Sequence, residues 1–253
     1  VHSASPFNNS KCCLLPAIPE LVHAASLIVD DLQDVHNTRW KRPAIWVSDG
    51  PALAMNTAIS LLTLSQKLAA RQGFWAVQSL TETLAAMLYG KACDLQANQL
   101  YREGLRGYLR IIGGKTGALL RFSVKLGGHC LAEDATASLA DWAFNLGVAH
   151  QIQDDLDDML ENNSEYIPPS NIYWFLEGEG TPGTLEESIS IACRLAESYV
   201  TKGIGKLSFS SVPVCLQEDL RFISQVVGNR RPASPVHLNT LKKDLLAPNY
   251  VQL

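Results

Sequence analysis

No uninterrupted apolar run in this chain reaches the roughly 18 to 20 residues a helix needs to cross a bilayer, so no transmembrane segment is expected. The start, Val1 to Pro6, lacks the basic-then-apolar order of a secretory signal, which predicts a soluble protein. Positive charge is also short. Lys and Arg total 21 against 25 Asp and Glu, a formal net charge of −4 that excludes a generally basic nucleic-acid surface. With apolar residues at 47% and charged residues at 18%, disorder is excluded too. Any anionic ligand must then be held by local cations or by metal.

The six cysteines, Cys12, Cys13, Cys93, Cys130, Cys193 and Cys215, contain no CxxC pair. Their mostly apolar helical contexts predict free thiols packed as small core residues, and a reducing compartment, the cytoplasm or another. Strand-like alternation is scarce, and no internal repeat of solenoid length occurs. At 253 residues the chain can bury one sizeable core, and a single domain spanning 1–253 is expected.

What is present is helical periodicity. Leu21, Ala25, Ile28 and Leu32 form one apolar stripe, and Leu80, Leu84, Met87 and Leu88 form another. Further helical stretches are expected at about 52–71, 106–126, 134–160, 185–203 and 215–227, separated by breakers such as Arg42-Pro43, Gly127-Gly128 and Pro182-Gly183. Segments 1–10 and 161–171 read as irregular. The C-terminal extension 232–253 carries Pro232, Pro235 and Pro248, which discourage a continuous helix and suggest a surface or docking arm. The fold class predicted is all-α.

One short pattern occurs twice, far apart. Asp30-Asp31-Leu32-Gln33-Asp34 ends the first stripe, with Asp30 and Asp31 on the same side of the helix as Asp34. In Asp154-Asp155-Leu156-Asp157-Asp158, Asp154, Asp155 and Asp158 repeat the DDxxD spacing. Like charges so placed destabilise a helix unless something neutralises them. A pair of solvated acidic faces is the bland explanation. Two matching clusters, each preceded by an apolar stripe, favour metal. Magnesium suits oxygen donors and is typically held by one or two carboxylates together with substrate phosphates.

These clusters resemble those of the trans-isoprenyl diphosphate synthase (polyprenyl synthetase) family. His23-Ala24-Ala25-Ser26-Leu27-Ile28-Val29-Asp30-Asp31 resembles its first aspartate-rich helix, and His150-Gln151-Ile152-Gln153-Asp154-Asp155 its second. Between them, Gly90-Lys91-Ala92-Cys93-Asp94-Leu95 is similar to the family's GQxxDL segment and Gly114-Lys115-Thr116-Gly117-Ala118 to its Lys-Thr motif. The likeness runs from about Pro19 to Arg231.

The resemblance implies an isoprenoid-synthase-type helical bundle with a central active-site cavity, a homodimer, and Mg2+ as cofactor. The partners implied are an allylic isoprenyl diphosphate and a second prenyl acceptor. By the same resemblance, Asp30, Asp34 and Asp154 are metal ligands, and Asp31, Asp155 and Asp158 are ligands or their supports. Lys115 and Arg39 are cationic contacts to the allylic diphosphate. Gln151 lies near the reacting end and Thr116 faces the cation formed there. His23, almost two helical turns before Asp30, either contacts isopentenyl diphosphate or is a hydrogen-bonded core histidine.

The match fails at one point above all. The family has two adjacent arginines after its first cluster, whereas here Arg39 is followed by Trp40, whose indole offers one N–H and no charge. Lys41 or Arg42 could compensate. The family's GKR motif is not visible upstream, and Glu161-Asn162-Asn163-Ser164-Glu165 stands where a Lys-rich segment is expected. Three activities are therefore weighed: condensation with isopentenyl diphosphate, prenyl transfer to another acceptor such as an indole or internal cyclisation, and a non-catalytic subunit of a heteromeric synthase. Base rate places condensation first, Trp40 supports the second, and intact aspartates oppose the third. Small residues at Ala25 and Ser26, before the first cluster, predict room for a twenty-carbon chain, unless they only permit close helix packing.

Overall fold

The computed structural model describes residues 14–130, 133–161, 167–178, 184–207, 220–225 and 227. The N-terminal segment 1–10, Cys12, Cys13, Cys215 and the extension 232–253 lie outside them, as do residues 162–165, where the Lys-rich segment was expected. The described residues are almost wholly helical: α1 (Ala17–Gln33), α2 (Ile45–Ser48), α3 (Pro51–Gln72), α4 (Phe74–Asp94), α5 (Ala97–Leu100), α6 (Gly104–Ile112), α7 (Ala118–Gly127), α8 (Glu133–Glu161), α9 (Ile172–Gly178) and α10 (Leu185–Lys206). The exception is a two-stranded antiparallel hairpin, β1 (Thr38–Arg39) and β2 (Arg42–Pro43). No helix is long and apolar enough to cross a membrane among the described residues.

The chain divides into two compact units, Val1–Leu84 with Lys125–Cys130, and Ala85–Val124 with Leu131–Leu253. In the first, α1 buries Ile18, Val22, Ala25 and Ile28 along one stripe. Gly50, with positive φ, turns the chain into α3, and Pro51 starts that helix where its missing N–H costs nothing. The face of α3 turned to α1 is a seam of small residues, Ala54 and Ala58, on which Ala25 and Ile28 pack. Such small side chains let two helices approach closely, and Leu61 and Leu62 close the edges of the seam.

The second unit is built around α8. Ala149, Ile152 and Leu156 of α8 meet Tyr108, Ile111 and Ile112 of α6, Ile172, Phe175 and Leu176 of α9, and Ala192, Leu195 and Ala196 of α10. Full burial of each large side chain contributes about 1.5–3 kcal/mol, so this cluster dominates the unit's stability. Further toward the start of α8, Leu139, Trp142 and Leu146 pack with Leu207 and Leu220. The Trp142 indole N–H donates to Ser224 Oγ at 3.0 Å, satisfying the one polar atom that ring carries inside.

The expected helix over 106–126 is interrupted. Between α6 and α7, Gly113–Gly117 form a π-helical turn, a rare geometry frequent at functional sites. The expected irregular stretch 161–171 is non-helical at 167–171, whereas Glu161 still belongs to α8. Helices α2, α5 and α9 are too short for periodicity to reveal.

Candidate functional site

The first aspartate cluster occupies the last turns of α1, where the backbone carbonyls give a helix its negative pole and no basic residue stands. Carboxylates at this end oppose the dipole, and cations are favoured there. Asp30 is half-buried, Asp31 buried and Asp34, at the C-cap, exposed.

The chain leaves α1 by a left-handed C-terminal turn. Val35 has φ +55°, and the His36 N–H donates to the Asp31 carbonyl at 3.0 Å, while the Asp34 N–H donates to that of Asp30 at 2.8 Å. It then folds into the hairpin, with Arg39 opposite Arg42 and Trp40-Lys41 as the two turn residues. Both have positive φ, +49° and +62°, the geometry of a type I′ turn usually made by Asn-Gly. The left-handed region costs an ordinary L residue about 1–2 kcal/mol. Among the described residues, Val35, Trp40 and Lys41 are the non-glycine residues with positive φ.

This return brings Arg39 back to Asp31. Its Nε and Nη2 donate to Asp31 Oδ1 at 3.1 and 2.5 Å. His36 Nδ1 is 3.9 Å from the same oxygen. Arg39 thus has the buried Asp31 carboxylate as its partner, since a carboxylate buried at the negative end of a helix needs a cation. Trp40 is 79% exposed at the hairpin tip, and Lys41 and Arg42 are exposed beside it.

His23 is exposed, which removes the core-histidine alternative. Ala25 is buried against α3 as close packing requires, and half-buried Ser26 donates its hydroxyl to the His23 carbonyl at 2.8 Å.

The second cluster lies in the last two turns or so of α8, which closes at Glu161, again without a basic residue in the last turn. Asp154 is partly exposed, with His150 Nδ1 3.1 Å from its Oδ2. Asp158 is half-buried. Asp155 is buried: Oδ2 accepts from the Tyr108 hydroxyl at 2.8 Å and from the Ile172 N–H at 2.9 Å, and Oδ1 accepts from Gln151 Nε2 at 3.4 Å. Asn171 adds a bond from Nδ2 to the Asp155 carbonyl at 2.8 Å. Asp155 therefore ties α6 and α9 to α8. Burial pushes its carboxyl up to about 7, against the lowering effect of its hydrogen bonds.

The π-helical turn carries Thr116 to this cluster's helix and Lys115 to the end of α4. Thr116 Oγ1 donates to Gln151 Oε1 at 2.9 Å, so the Lys-Thr motif and the second aspartate helix are joined through two polar side chains. The turn fits because its neighbours are glycines: a Cβ on Gly147 would fall 3.1 Å from Gly117 Cα, and one on Gly117 would fall 2.8 Å from the Phe144 ring. Lys115 Nζ donates to Asp94 Oδ2 at 2.7 Å, and Lys91 Nζ lies 3.1 Å from the same oxygen. The sequence marked Asp94 and Lys91 only as members of a motif; their three-residue spacing on one helix was the available signal. Tyr108 and Asn171 were not marked at all.

A model of the polyprenyl synthetase family matches residues 3–167, more than half of the chain. The chain belongs to the polyprenyl synthetase family. Within it, the chain is 33% identical over 153 residues to geranylgeranyl pyrophosphate synthase 2 of Gibberella fujikuroi, a match covering 56% of this chain and 38% of that protein. The chain spans about half the length, or less, of the curated relatives it matches. Its fold is that of geranylgeranyl pyrophosphate synthetase from Pyrococcus horikoshii, with TM-score 0.74 and 21% identity over 87% of this chain and 80% of that one. A polyprenyl synthase from Caulobacter crescentus, solved with calcium and isoprenyl diphosphate, matches with TM-score 0.73 and 18% identity over 90% of this chain and 81% of that one. These structural matches establish the all-α isoprenoid-synthase fold.

Among the described residues no three His, Cys, Asp or Glu side chains come together to hold a metal ion by themselves. The donors at the two helix ends are nonetheless all carboxylate oxygens. Each cluster by itself offers the donor type that a hard divalent cation takes together with phosphate oxygens and water.

Proposed function

We propose that this chain is a magnesium-dependent prenyltransferase that ionises an allylic isoprenyl diphosphate, in the twenty-carbon range, and joins it to isopentenyl diphosphate. The observation that carries the reading is the aspartate cluster in the last turns of both α1 and α8, with no Lys or Arg in either final turn. Carboxylates so placed favour a multivalent cation.

Asp30, Asp34 and Asp154 are the proposed ligands, with Asp31, Asp155 and Asp158 as ligands or supports. Bound magnesium supplies electrostatic stabilisation of charge developing on the leaving diphosphate. Lys115 and Arg39 bind the diphosphate, Arg39 by exchanging Asp31 for phosphate oxygens that match its planar fork equally well. Thr116 and Gln151, already bonded to each other, orient the reacting end of the chain. His23 contacts the second substrate. No protein nucleophile is required.

The twenty-carbon range follows the name of the Gibberella relative and the small side chain of Ser26, whereas Ala25 is already occupied in packing. Exposed Leu53, Met55, Ile59 and Leu64 on α3 support a homodimer, since a second copy would remove that apolar surface from water. Residues 1–253 are proposed as a single isoprenoid-synthase domain. Free Cys93 and Cys193 suit a reducing compartment such as the cytoplasm.

Trp40 favours a second reading, prenyl transfer to another acceptor such as an indole, or cyclisation. An exposed indole on a tight turn replaces a guanidinium that isopentenyl diphosphate needs. Incubation with magnesium and each allylic diphosphate, with and without isopentenyl diphosphate, followed by mass analysis of products, distinguishes the readings. Chain elongation supports condensation, and a product formed only without isopentenyl diphosphate or with another acceptor supports the second. Absence of any magnesium-dependent diphosphate release would leave the non-catalytic subunit.

A further inference from the structure

We infer that Asp94 is a positioning residue for diphosphate binding: it holds Lys91 and Lys115 side by side in their charged forms and so presents Lys115 to the incoming anion. The inference rests on the reading that Lys115 contacts diphosphate.

Three segments of the second unit meet at Asp94. Lys91 precedes it by three residues near the end of α4, Lys115 comes from the π-helical turn, and the Ser170 hydroxyl bonds it from the segment before α9. The approach of the turn to α4 depends on two glycines. A Cβ on Gly90 would lie 2.7 Å from the Lys115 backbone nitrogen, and one on Gly114 would lie 2.8 Å from Gly90 Cα. With those backbones in contact, Lys115 Nζ reaches Asp94 Oδ2 at 2.7 Å.

Charge counting explains why an acid belongs there. Both ammonium groups approach the same carboxylate oxygen, so they stand within about 6 Å of each other, where two positive charges disfavour each other's protons. Lys91 is buried and the Asp94 side chain is only 7% exposed, so water screens the pair poorly. With Asp94 ionised, the group of three carries one net positive charge; without it, two. Burial works to raise the Asp94 carboxyl, yet the two lysines and the Ser170 hydroxyl outweigh burial and hold it below its ordinary value. The group is therefore a stable, singly charged anchor for an anion.

The test uses the full chain and two measurements. Binding of magnesium pyrophosphate is followed by calorimetry, and the pH at which Lys115 becomes reactive is followed by competitive acetylation with peptide mapping. In Asp94→Asn, Lys115 should acetylate at lower pH than in the wild type. Pyrophosphate binding, taken relative to wild type, should fall more near pH 8.5 than near pH 6.5. Adding Lys91→Met should restore both properties, because Lys115 is then the lone cation and the carbonyl oxygen of the introduced amide still accepts its hydrogen bond. A merely structural Asp94 predicts an equal loss at both pH values with no rescue, and that result, or wild-type behaviour of Asp94→Asn, overturns the inference. If Asp94→Asn does not fold, Lys91→Met alone decides: relief of repulsion should move Lys115 acetylation to higher pH, and an unmoved profile overturns the inference. Failure of the parent reading looks different, because wild-type protein would then bind no magnesium pyrophosphate while the acetylation profiles still report whether Asp94 sets the charge of Lys115.

Discussion

Replacing Gly90 by alanine sets helix propensity against packing. Gly90 lies inside α4, where propensity alone favours alanine by about 1 kcal/mol. The structure reverses the sign. The added Cβ would meet Lys115 N at 2.7 Å and the Cα and carbonyl carbon of Gly114 at 2.9 Å, and all three are backbone atoms that no rotamer change can move. Ordinary contact begins at 3.4 Å, so the crossing must open by about 0.7 Å; overpacking of this kind costs about 1–3 kcal/mol, toward the upper end when backbone must shift. The net expectation is a loss of about 2 kcal/mol, or about 4–8 °C in Tm for a chain of this size. The same displacement would stretch the 2.7 Å contact between Lys115 and Asp94 to about 3.4 Å and weaken it, so affinity for magnesium pyrophosphate should fall with stability. Thermal unfolding and calorimetry measure both. Gly205→Ala is the control, since a Cβ there meets nothing within 4 Å and α10 should gain slightly. A Gly90→Ala protein with wild-type Tm and wild-type affinity would refute the argument.

Asp30→Ala and Asp154→Ala should each lose most turnover in product assays while far-ultraviolet circular dichroism stays unchanged, because alanine is a good helix former; near-wild-type turnover in both would reject the paired-metal reading. Exhaustive chelation should abolish activity and added magnesium should restore it, measured as released diphosphate. Trp40→Arg should raise use of isopentenyl diphosphate in competition assays, by supplying a second guanidinium next to Arg39. Because the folded-state carboxyl of Asp94 is held below its ordinary 3.8, it contributes stability above that value and loses it as pH falls through the lower, folded-state value. Denaturant midpoints of Asp94→Asn should therefore fall less steeply than wild type in this acid range.

Helix periodicity was legible because apolar stripes repeat over several turns, as in α1, α3, α8 and α10. The break inside 106–126 was not. Gly113-Gly114-Lys115-Thr116-Gly117 reads as a weak stretch of helix, and its π-helical turn packs closely against Phe144, Gly147 and Gly90, all distant in sequence. The residue types of the candidate site were readable from the aspartate spacing and the four motifs, and the structure joins Thr116 to Gln151 as a direct hydrogen bond. The partners that orient them were not readable. Tyr108 looks like one more core aromatic of α6, and only the fold brings its hydroxyl to Asp155.

The end of α1 shows most clearly why local rules stop short at this site. Helix-stop rules favour glycine at the left-handed position that follows Asp34 and Asn-Gly at a two-residue hairpin. The chain instead places Val35, Trp40 and Lys41 there, each with positive φ. Their conformations are unfavourable locally, so tertiary contacts must hold them. Such contacts include the Arg39 fork on buried Asp31 and the Trp46 indole, which donates to the His36 carbonyl at 2.8 Å. Arg39 is therefore coupled to the strain: if phosphate takes it from Asp31, one of the restraints on the hairpin is exchanged at the moment of binding. A segment whose backbone is held by contacts that a ligand exchanges is suited to respond to that ligand, which accounts for residues that sequence rules disfavour at the edge of the first aspartate cluster.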